Sequence, residues 1–332
     1  MKVSDLGEFG LIERLRRFLD EPDPRVIVGI GDDVAVLEGP GEMLLLATCD
    51  IQVEGIHFLR PLITPYELGR KALAINLSDV ASMGGLPDFA LVSLALPPDA
   101  ELDFIDELYR GLKDEAAEAG VKIVGGNIAR LPERFVVDIF LIGKVERELF
   151  LTRRGAKPGD LLMVTGTLGD SAAGLALLLR GIKEERFASL YRAHLTPKAR
   201  LREGRTLALG KLASSAIDIS DGLARDAGHL CDESGVGVLI RLADIPLSDA
   251  LREAAALLEE DPLKWAISGG EDYQLLFTVP PDKAHQVRAA LHPTPVTEIG
   301  VILSPQDGRY ILMPDGSKQS LRPEGWDHFA PI

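Results

Sequence analysis

Cysteine is nearly missing from this chain: there are two among 332 residues, Cys49 and Cys231. That excludes a disulfide framework and a cysteine-rich metal centre. Long apolar runs are missing too. A membrane-spanning helix needs about 20 predominantly apolar residues, and Phe89 to Leu96 is typical of the longest stretch here. The opening residues, Met1-Lys2-Val3-Ser4-Asp5-Leu6-Gly7-Glu8, lack the apolar core of a secretory signal. Positive charge is the scarcer sign. Lys and Arg number 36 against 51 Asp and Glu, a formal net charge of −15. A general nucleic-acid binder, or a protein docking on anionic lipid, needs the opposite balance. Also absent are the G-x-x-x-x-G-K-[ST] loop, the G-x-G-x-x-G fingerprint, a kinase catalytic loop with D-F-G, and the G-x-S-x-G elbow. These absences leave the expectation of a cytoplasmic protein without membrane or nucleic-acid partners.

What is present is ordinary globular composition, 46% apolar and 26% charged, in a length that suits about two domains. Leu6 to Leu19 reads as an amphipathic helix. Thr64-Pro65-Tyr66-Glu67 carries a capping box with proline at the first helical position, opening a helix to about Met83 that stops at Gly84-Gly85. Strands are expected at Arg25–Ile30, Met43–Thr48, Phe89–Leu96, Val121–Val124, Phe135–Val145, Leu161–Thr165, Ala213–Ile219 and Val236–Leu242. Helices are expected at Asp103–Ala119, Pro197–Leu209 and Leu223–Ser234. Without a regular βαβ rhythm the class is α+β. The charged turn segment Thr152 to Asp160 suggests two domains, 1–148 and 149–332.

Acidic residues recur just behind apolar strands. Asp32 and Asp33 follow Val26 to Gly31, Asp50 follows Leu44 to Cys49, and Asp218 and Asp221 lie in Ala216-Ile217-Asp218-Ile219-Ser220-Asp221-Gly222. Asn127 follows Ile123-Val124-Gly125-Gly126. One such Asp is usually a turn former; five together suggest convergence on a ligand. Asp79 stands late in an apolar helix, unfavourably placed against the dipole unless paired or bound to a cation. Carboxylates sharing a cleft repel one another, and a hard divalent cation such as Mg²⁺ relieves this while letting an acidic protein hold phosphates.

The ordered set of motifs resembles the thiamine-monophosphate kinase family, whose superfamily includes aminoimidazole ribonucleotide synthetase and selenophosphate synthetase. It comprises Gly7-Glu8-Phe9-Gly10-Leu11-Ile12, Gly29-Ile30-Gly31-Asp32-Asp33, Glu54-Gly55-Ile56-His57-Phe58, Asn76-Leu77-Ser78-Asp79 and Ala81-Ser82-Met83-Gly84-Gly85. It continues with Thr165-Gly166-Thr167-Leu168-Gly169-Asp170-Ser171, Asp218-Ile219-Ser220-Asp221-Gly222-Leu223, Gly269-Gly270-Glu271-Asp272-Tyr273 and Gly325-Trp326-Asp327-His328-Phe329.

The resemblance implies a β-rich N-terminal domain that dimerises, followed by a C-terminal α/β-sandwich domain. It implies phosphorylation of thiamine monophosphate by ATP to give thiamine diphosphate and ADP, the final step of thiamine diphosphate biosynthesis, in a homodimer. Several Mg²⁺ ions would lie among Asp33, Thr48, Cys49, Asp50, Asp79, Asn127, Asp218 and Asp221. Tyr109, Gly126, Asn127, Arg153 and Ser220 would contact ATP, and His57, Glu271 and Trp326 would surround thiamine monophosphate. Glu271 would face either the aminopyrimidine or the cationic portion of that substrate. No protein nucleophile is expected, because the acceptor phosphate can attack directly. Two positions depart from the family pattern: Asn127 replaces the usual Asp and Cys49 the usual Thr.

Among the relatives, selenophosphate synthetase carries a reactive Cys in its N-terminal segment, and none precedes Cys49 here. The hydrogenase-maturation member ends in a functional Cys, whereas this chain ends Ala330-Pro331-Ile332. A non-catalytic nucleotide-binding regulator, favoured only by Asn127, is the alternative of a different class.

Overall fold

A computed structural model describes residues 2–19, 21–322, 325–326 and 328–329; Asp327 and Ala330-Pro331-Ile332 lie outside these. Strands β1 (Val26–Val28), β2 (Ala35–Glu38), β3 (Met43–Val53), β4 (Leu86–Leu96), β5 (Lys122–Arg130) and β6 (Val136–Glu146) form one sheet in the order β1-β2-β3-β6-β4-β5. Only β4 and β5 pair in parallel. Helix α1 (Gly7–Leu19) precedes this sheet, and α2 (Pro65–Ser82) and α3 (Leu102–Ala119) are threaded between its strands.

Apolar residues alternate along β3 and β6, so Leu44, Leu46, Ile139 and Leu141 point into one core with Leu73 and Leu77 of α2 and Leu108 and Leu112 of α3. The opposite face carries Leu45, Ile51, Phe89 and Phe140, each more than a third exposed. The expected capping box is present: Thr64 Oγ1 accepts from Glu67 N at 3.2 Å, and Glu67 Oε2 accepts from Thr64 N at 2.8 Å.

Strands β7 (Leu161–Thr165), β8 (Ser215–Asp218), β9 (Gly237–Arg241), β10 (Leu275–Val279), β11 (Val296–Leu303), β12 (Arg309–Leu312) and β13 (Lys318–Ser320) form a second sheet. Its order is β13-β12-β9-β11-β7-β10-β8. Around it lie α4 (Asp170–Leu179), α5 (Ala188–Leu195), α6 (Leu201–Leu209), α7 (Leu223–Ser234), α8 (Asp249–Leu258), α9 (Pro262–Ser268) and α10 (Ala284–Leu291). Both faces are covered. Leu162, Val164 and Ile217 pack with Leu223 and Leu230 of α7, while Met163, Ala216 and Phe277 pack with Leu207 of α6 and Val287 of α10. This is the α/β sandwich expected for the second half.

Helix α2 belongs to both halves. It is buried nearly all round, as a central helix must be when apolar on every side. Ala81, near its end, joins the core under the second sheet. The α6 backbone comes so close that a Cβ on Gly204 would lie 1.8 Å from Ala81 O.

Sequence and structure part in a few places. β5 does not stop before Gly125 but runs on to Arg130. The register against β4 shifts at Ala90/Leu91, where one extra residue is accommodated. Gly125 and Gly126 have φ of 156° and 153°, which glycine tolerates. The helix expected from Pro197 begins at Leu201, and β2, α5 and β11 to β13 carry too little periodicity to be read beforehand.

Candidate active site

The turn after β1, the inward face of β3, the end of β8 and α2 converge on a cleft of about 880 Å³ between the two halves; β3 runs past its expected end at Thr48 to Val53, so Asp50 lies within the strand rather than behind it. Asp32 and Asp33 enter from the turn after β1, Thr48 and Asp50 from β3, Asp79 from α2, and Asp218, Ser220 and Asp221 from the end of β8. Thr48 Oγ1 donates to Asp79 Oδ2 at 2.6 Å, Ser78 Oγ donates to Asp218 Oδ2 at 2.5 Å, and Asp50 N donates to Asn76 Oδ1 at 3.0 Å. Arg153 spans the turn: its Nε donates to Asp33 Oδ1 at 3.0 Å and its backbone N to Asp32 Oδ2 at 3.1 Å.

Burial and mutual repulsion shift Asp32, Asp50, Asp79, Asp218 and Asp221 upward. Burial, then Asp33 and Asp138, push Asp50 up to about 6. Burial, then Asp33, push Asp32 up to about 7, and burial with Glu8 does the same for Asp221. Asp79 and Asp218 lie well above the ordinary carboxylate value, again chiefly through burial and neighbouring carboxylates. The cluster is therefore short of positive charge. Asp33 Oδ2 is buried with no hydrogen-bond partner among the described residues. Hard oxygen donors, an orphaned carboxylate oxygen and clustered negative charge fit a divalent cation such as Mg²⁺.

The sequence reading missed an extension of this cluster on α7. Asp226 and His229 bring ligand atoms within 4.8 Å of one another and of Asp221. Asp226 Oδ2 also accepts from Gly222 N at 3.0 Å, closing the turn before the helix. His229 Nε2 is buried without a hydrogen-bond partner among the described residues, and its ring lies 4.7 Å from that of Phe9 on α1. The i, i+3 spacing of Asp226 and His229 just after Asp221-Gly222 was the available signal.

The other end of the cleft has a different character. His57 Nδ1 accepts from Val53 N at 3.0 Å, and burial, with His328 nearby, lowers its pKa to about 4. Its ring lies 4.9 Å from that of His328, whose Nδ1 accepts from Trp326 Nε1 at 3.3 Å. His328 N donates to Glu8 Oε2 at 3.2 Å, so the two ends of the chain meet over the cleft. Glu271 lies 2.7 Å from Lys71 Nζ through Oε1 and 3.2 Å from His194 Nδ1 through Oε2. Lys71 and His194 were also missed; a lysine at the head of the apolar run Ala72-Leu73-Ala74-Ile75 was the visible signal.

Thus Asp33, Thr48, Asp50, Asp79, Arg153, Asp218, Ser220, Asp221, His57, Glu271 and Trp326 line one cleft. Cys49 borders it too, but strand alternation turns its side chain to the open sheet face, opposite Phe140. Tyr109, Gly126 and Asn127 do not line it. Tyr109 packs at the margin of the first core. Asn127 is exposed on β5, on the rung Ile51–Asp138–Ser93–Asn127. Three strand spacings put it about 14 Å from β3.

Comparison with known proteins places this geometry. Residues 31–145 match the N-terminal domain of AIR synthase related proteins, and residues 157–312 match their C-terminal domain. The chain is 41% identical over 331 residues to the thiamine-monophosphate kinase of Aquifex aeolicus, covering 99% of this chain and 100% of the relative. It is 41% identical over 329 residues to that of Escherichia coli K12, covering 98% of each. A solved structure described as AaThiL complexed with AMPPCP and TMP superposes with a TM-score of 0.87 at 39% identity, over 99% of both chains. The family suggested by the sequence motifs is thereby established: the chain belongs to the thiamine-monophosphate kinases, within the AIR synthase related proteins.

Proposed function

We propose that this enzyme phosphorylates thiamine monophosphate with ATP, completing thiamine diphosphate biosynthesis in the cytoplasm. An oxygen of the acceptor phosphate attacks the γ-phosphorus, and the bond from that phosphorus to the β,γ-bridging oxygen breaks. ADP leaves and thiamine diphosphate remains. The observation that carries this reading is the acid cluster at one end of a cleft whose other end holds His57, Glu271 and Trp326.

Asp33, Asp50, Asp79, Asp218 and Asp221, with the Thr48 hydroxyl, would hold Mg²⁺ ions, which when bound neutralise the phosphate charges and favour in-line transfer. Arg153, poised between Asp32 and Asp33, adds fixed positive charge where the nucleotide phosphates would lie. Ser220 offers a hydroxyl beside them. At the acceptor end, His57 and the Trp326 ring offer aromatic faces to a heteroaromatic body. A phosphate monoester is already largely ionised near neutral pH, so no strong general base is required. The work of the protein is positioning and electrostatics.

Residues 1–148 would then carry most of the metal and ATP contacts, and 149–332 would complete the nucleotide and substrate sites. Tyr109, Gly126 and Asn127 fit this scheme in a homodimer, where a second copy brings them to the phosphates. The open apolar face of the first sheet, with Leu45, Ile51, Phe89 and Phe140, supports that assembly. As for Cys49, a thiol is a poor Mg²⁺ donor, so its part would fall to its backbone carbonyl.

The test is thiamine diphosphate formation from ATP, Mg²⁺ and thiamine monophosphate, matched mole for mole by ADP. Nucleotide binding without turnover would favour a regulator instead.

A further inference from the structure

Lys71 is the anomaly of α2, a lysine whose side chain is only 1% exposed at the head of the buried stretch Ala72-Leu73-Ala74-Ile75. It stands eight positions before Asp79, about 12 Å along the helix axis. The same rigid element therefore presents a cation to one end of the cleft and a carboxylate to the other. Its ammonium lies 2.7 Å from Glu271 Oε1 as a close ion pair rather than an aligned hydrogen bond, and among the described residues no other group accepts from it.

The partner is held from every side. Glu271 has φ of 67°, unusual for a residue with a Cβ, and is pinned by its N donating to Ser220 O at 2.7 Å. The next residue, Asp272, accepts from Gly169 N at 2.7 Å and Ser171 N at 3.3 Å, tying the loop to the start of α4. His194 Nδ1 approaches Glu271 Oε2 and lies 3.1 Å from Ser171 Oγ. A buried ion pair is a poor way to gain stability, since two apolar residues often serve as well. A quarter of the Glu271 side chain stays open, and that opening is in the cleft.

Resting on the proposed acceptor, we infer that Lys71 is a positioning residue that fixes Glu271 as an acceptor-only carboxylate, so that this end of the cleft selects a substrate presenting an N–H donor. The pair is neutral as a whole, so a bare positive charge gains little there, whereas a hydrogen-bond donor gains a fixed partner. Glu271 thus recognises the exocyclic amine of the aminopyrimidine rather than the thiazolium. Burial alone would raise the Glu271 pKa; Lys71, then His194, hold it below the usual carboxylate range. Without Lys71, burial is opposed by His194 alone, and the carboxylate loses the partner that fixes its charge and its orientation.

The test compares kcat/KM for thiamine monophosphate and for oxythiamine monophosphate, whose oxo group replaces the amine. The wild type should prefer the amine by about 100-fold or more. Lys71→Met should cut that ratio at least tenfold while leaving the KM for ATP within about twofold, a split that general loosening of the fold does not produce. Should Lys71→Met fold poorly, a second pair of variants decides. In Glu271→Gln, Lys71 takes the amide oxygen and turns the NH₂ to the cleft, favouring the oxo substrate. In Lys71→Met with Glu271→Gln the amide is free to flip, and the preference collapses towards one. An unchanged ratio in Lys71→Met, or equal ratios in Glu271→Gln and the double variant, would overturn the inference. Absence of wild-type turnover of thiamine monophosphate would instead overturn the proposed function.

Discussion

Ser78 Oγ donates to Asp218 Oδ2 across 140 residues of sequence, at 2.5 Å, joining α2 to the end of β8. Both residues are buried, 0% and 2% exposed. This one bond ties the first half of the chain to the second at the floor of the acid cluster. Ser78→Ala leaves the carboxyl without its donor, which costs about 1–3 kcal/mol for a buried group. A lower urea midpoint with an unchanged slope is the expected result.

The acid cluster predicts how stability depends on pH when divalent cations are removed. Asp50 is raised to about 6, and Asp32 and Asp221 to about 7, with Asp79 and Asp218 also well above the ordinary value. Between about pH 5 and pH 7 these acids hold more protons in the native state than in the unfolded chain and outnumber His57 and His229, which burial keeps deprotonated, so stability falls as pH rises. Each fully titrating group contributes a slope of about 1.4 kcal/mol per pH unit. Glu271, shifted the other way, loses its contribution only below its unfolded value of 4.5, outside that window. Urea midpoints in EDTA should fall from about pH 5 to pH 8, and saturating Mg²⁺ should flatten or reverse the trend. A flat or rising profile in EDTA contradicts this electrostatic picture.

The open sheet face predicts an assembly. Phe140, 38% exposed, lies opposite Cys49 near the middle of that face. Phe140→Glu places a charge where two copies would meet, and light scattering should report a monomer with little turnover. A dimer with wild-type activity would show that the face is not the interface.

Asn127 predicts a tunable affinity. If a second copy brings this residue to the metals, Asn127→Asp adds a charged ligand and should lower the Mg²⁺ concentration for half-maximal turnover by roughly 3–10-fold. An unchanged Mg²⁺ dependence would remove Asn127 from the metal site.

Much of this architecture was legible because local and long-range signals agreed. The α2 capping box and the alternation along β3 and β6 are local rules that tertiary packing reinforces. The acids after β1 and at the end of β8 were visible because strand ends place short side chains predictably, whereas β3 runs on to Val53, so Asp50 reaches the cleft from within the strand through its inward alternation. Other features depended on what lies across the fold. Gly125-Gly126 reads as a strand terminator, yet pairing with β4 carries the strand through as a bulge. Lys71 became informative only once Glu271, 200 positions later, was found beside it. Asp226 and His229 became informative only where α1 and the turn at Asp221 close over them.

The most direct measurement is turnover of Asp79→Asn and Asp218→Asn at limiting and saturating Mg²⁺, with folding checked by urea unfolding in EDTA. Each substitution removes a carboxylate from the crowded cluster without changing its shape. Turnover should fall by about 100-fold or more in each, while metal-free stability near pH 8 holds or rises as repulsion is relieved. Near-wild-type turnover in both variants at limiting Mg²⁺ would contradict a phosphoryl transfer carried by cations in this cluster.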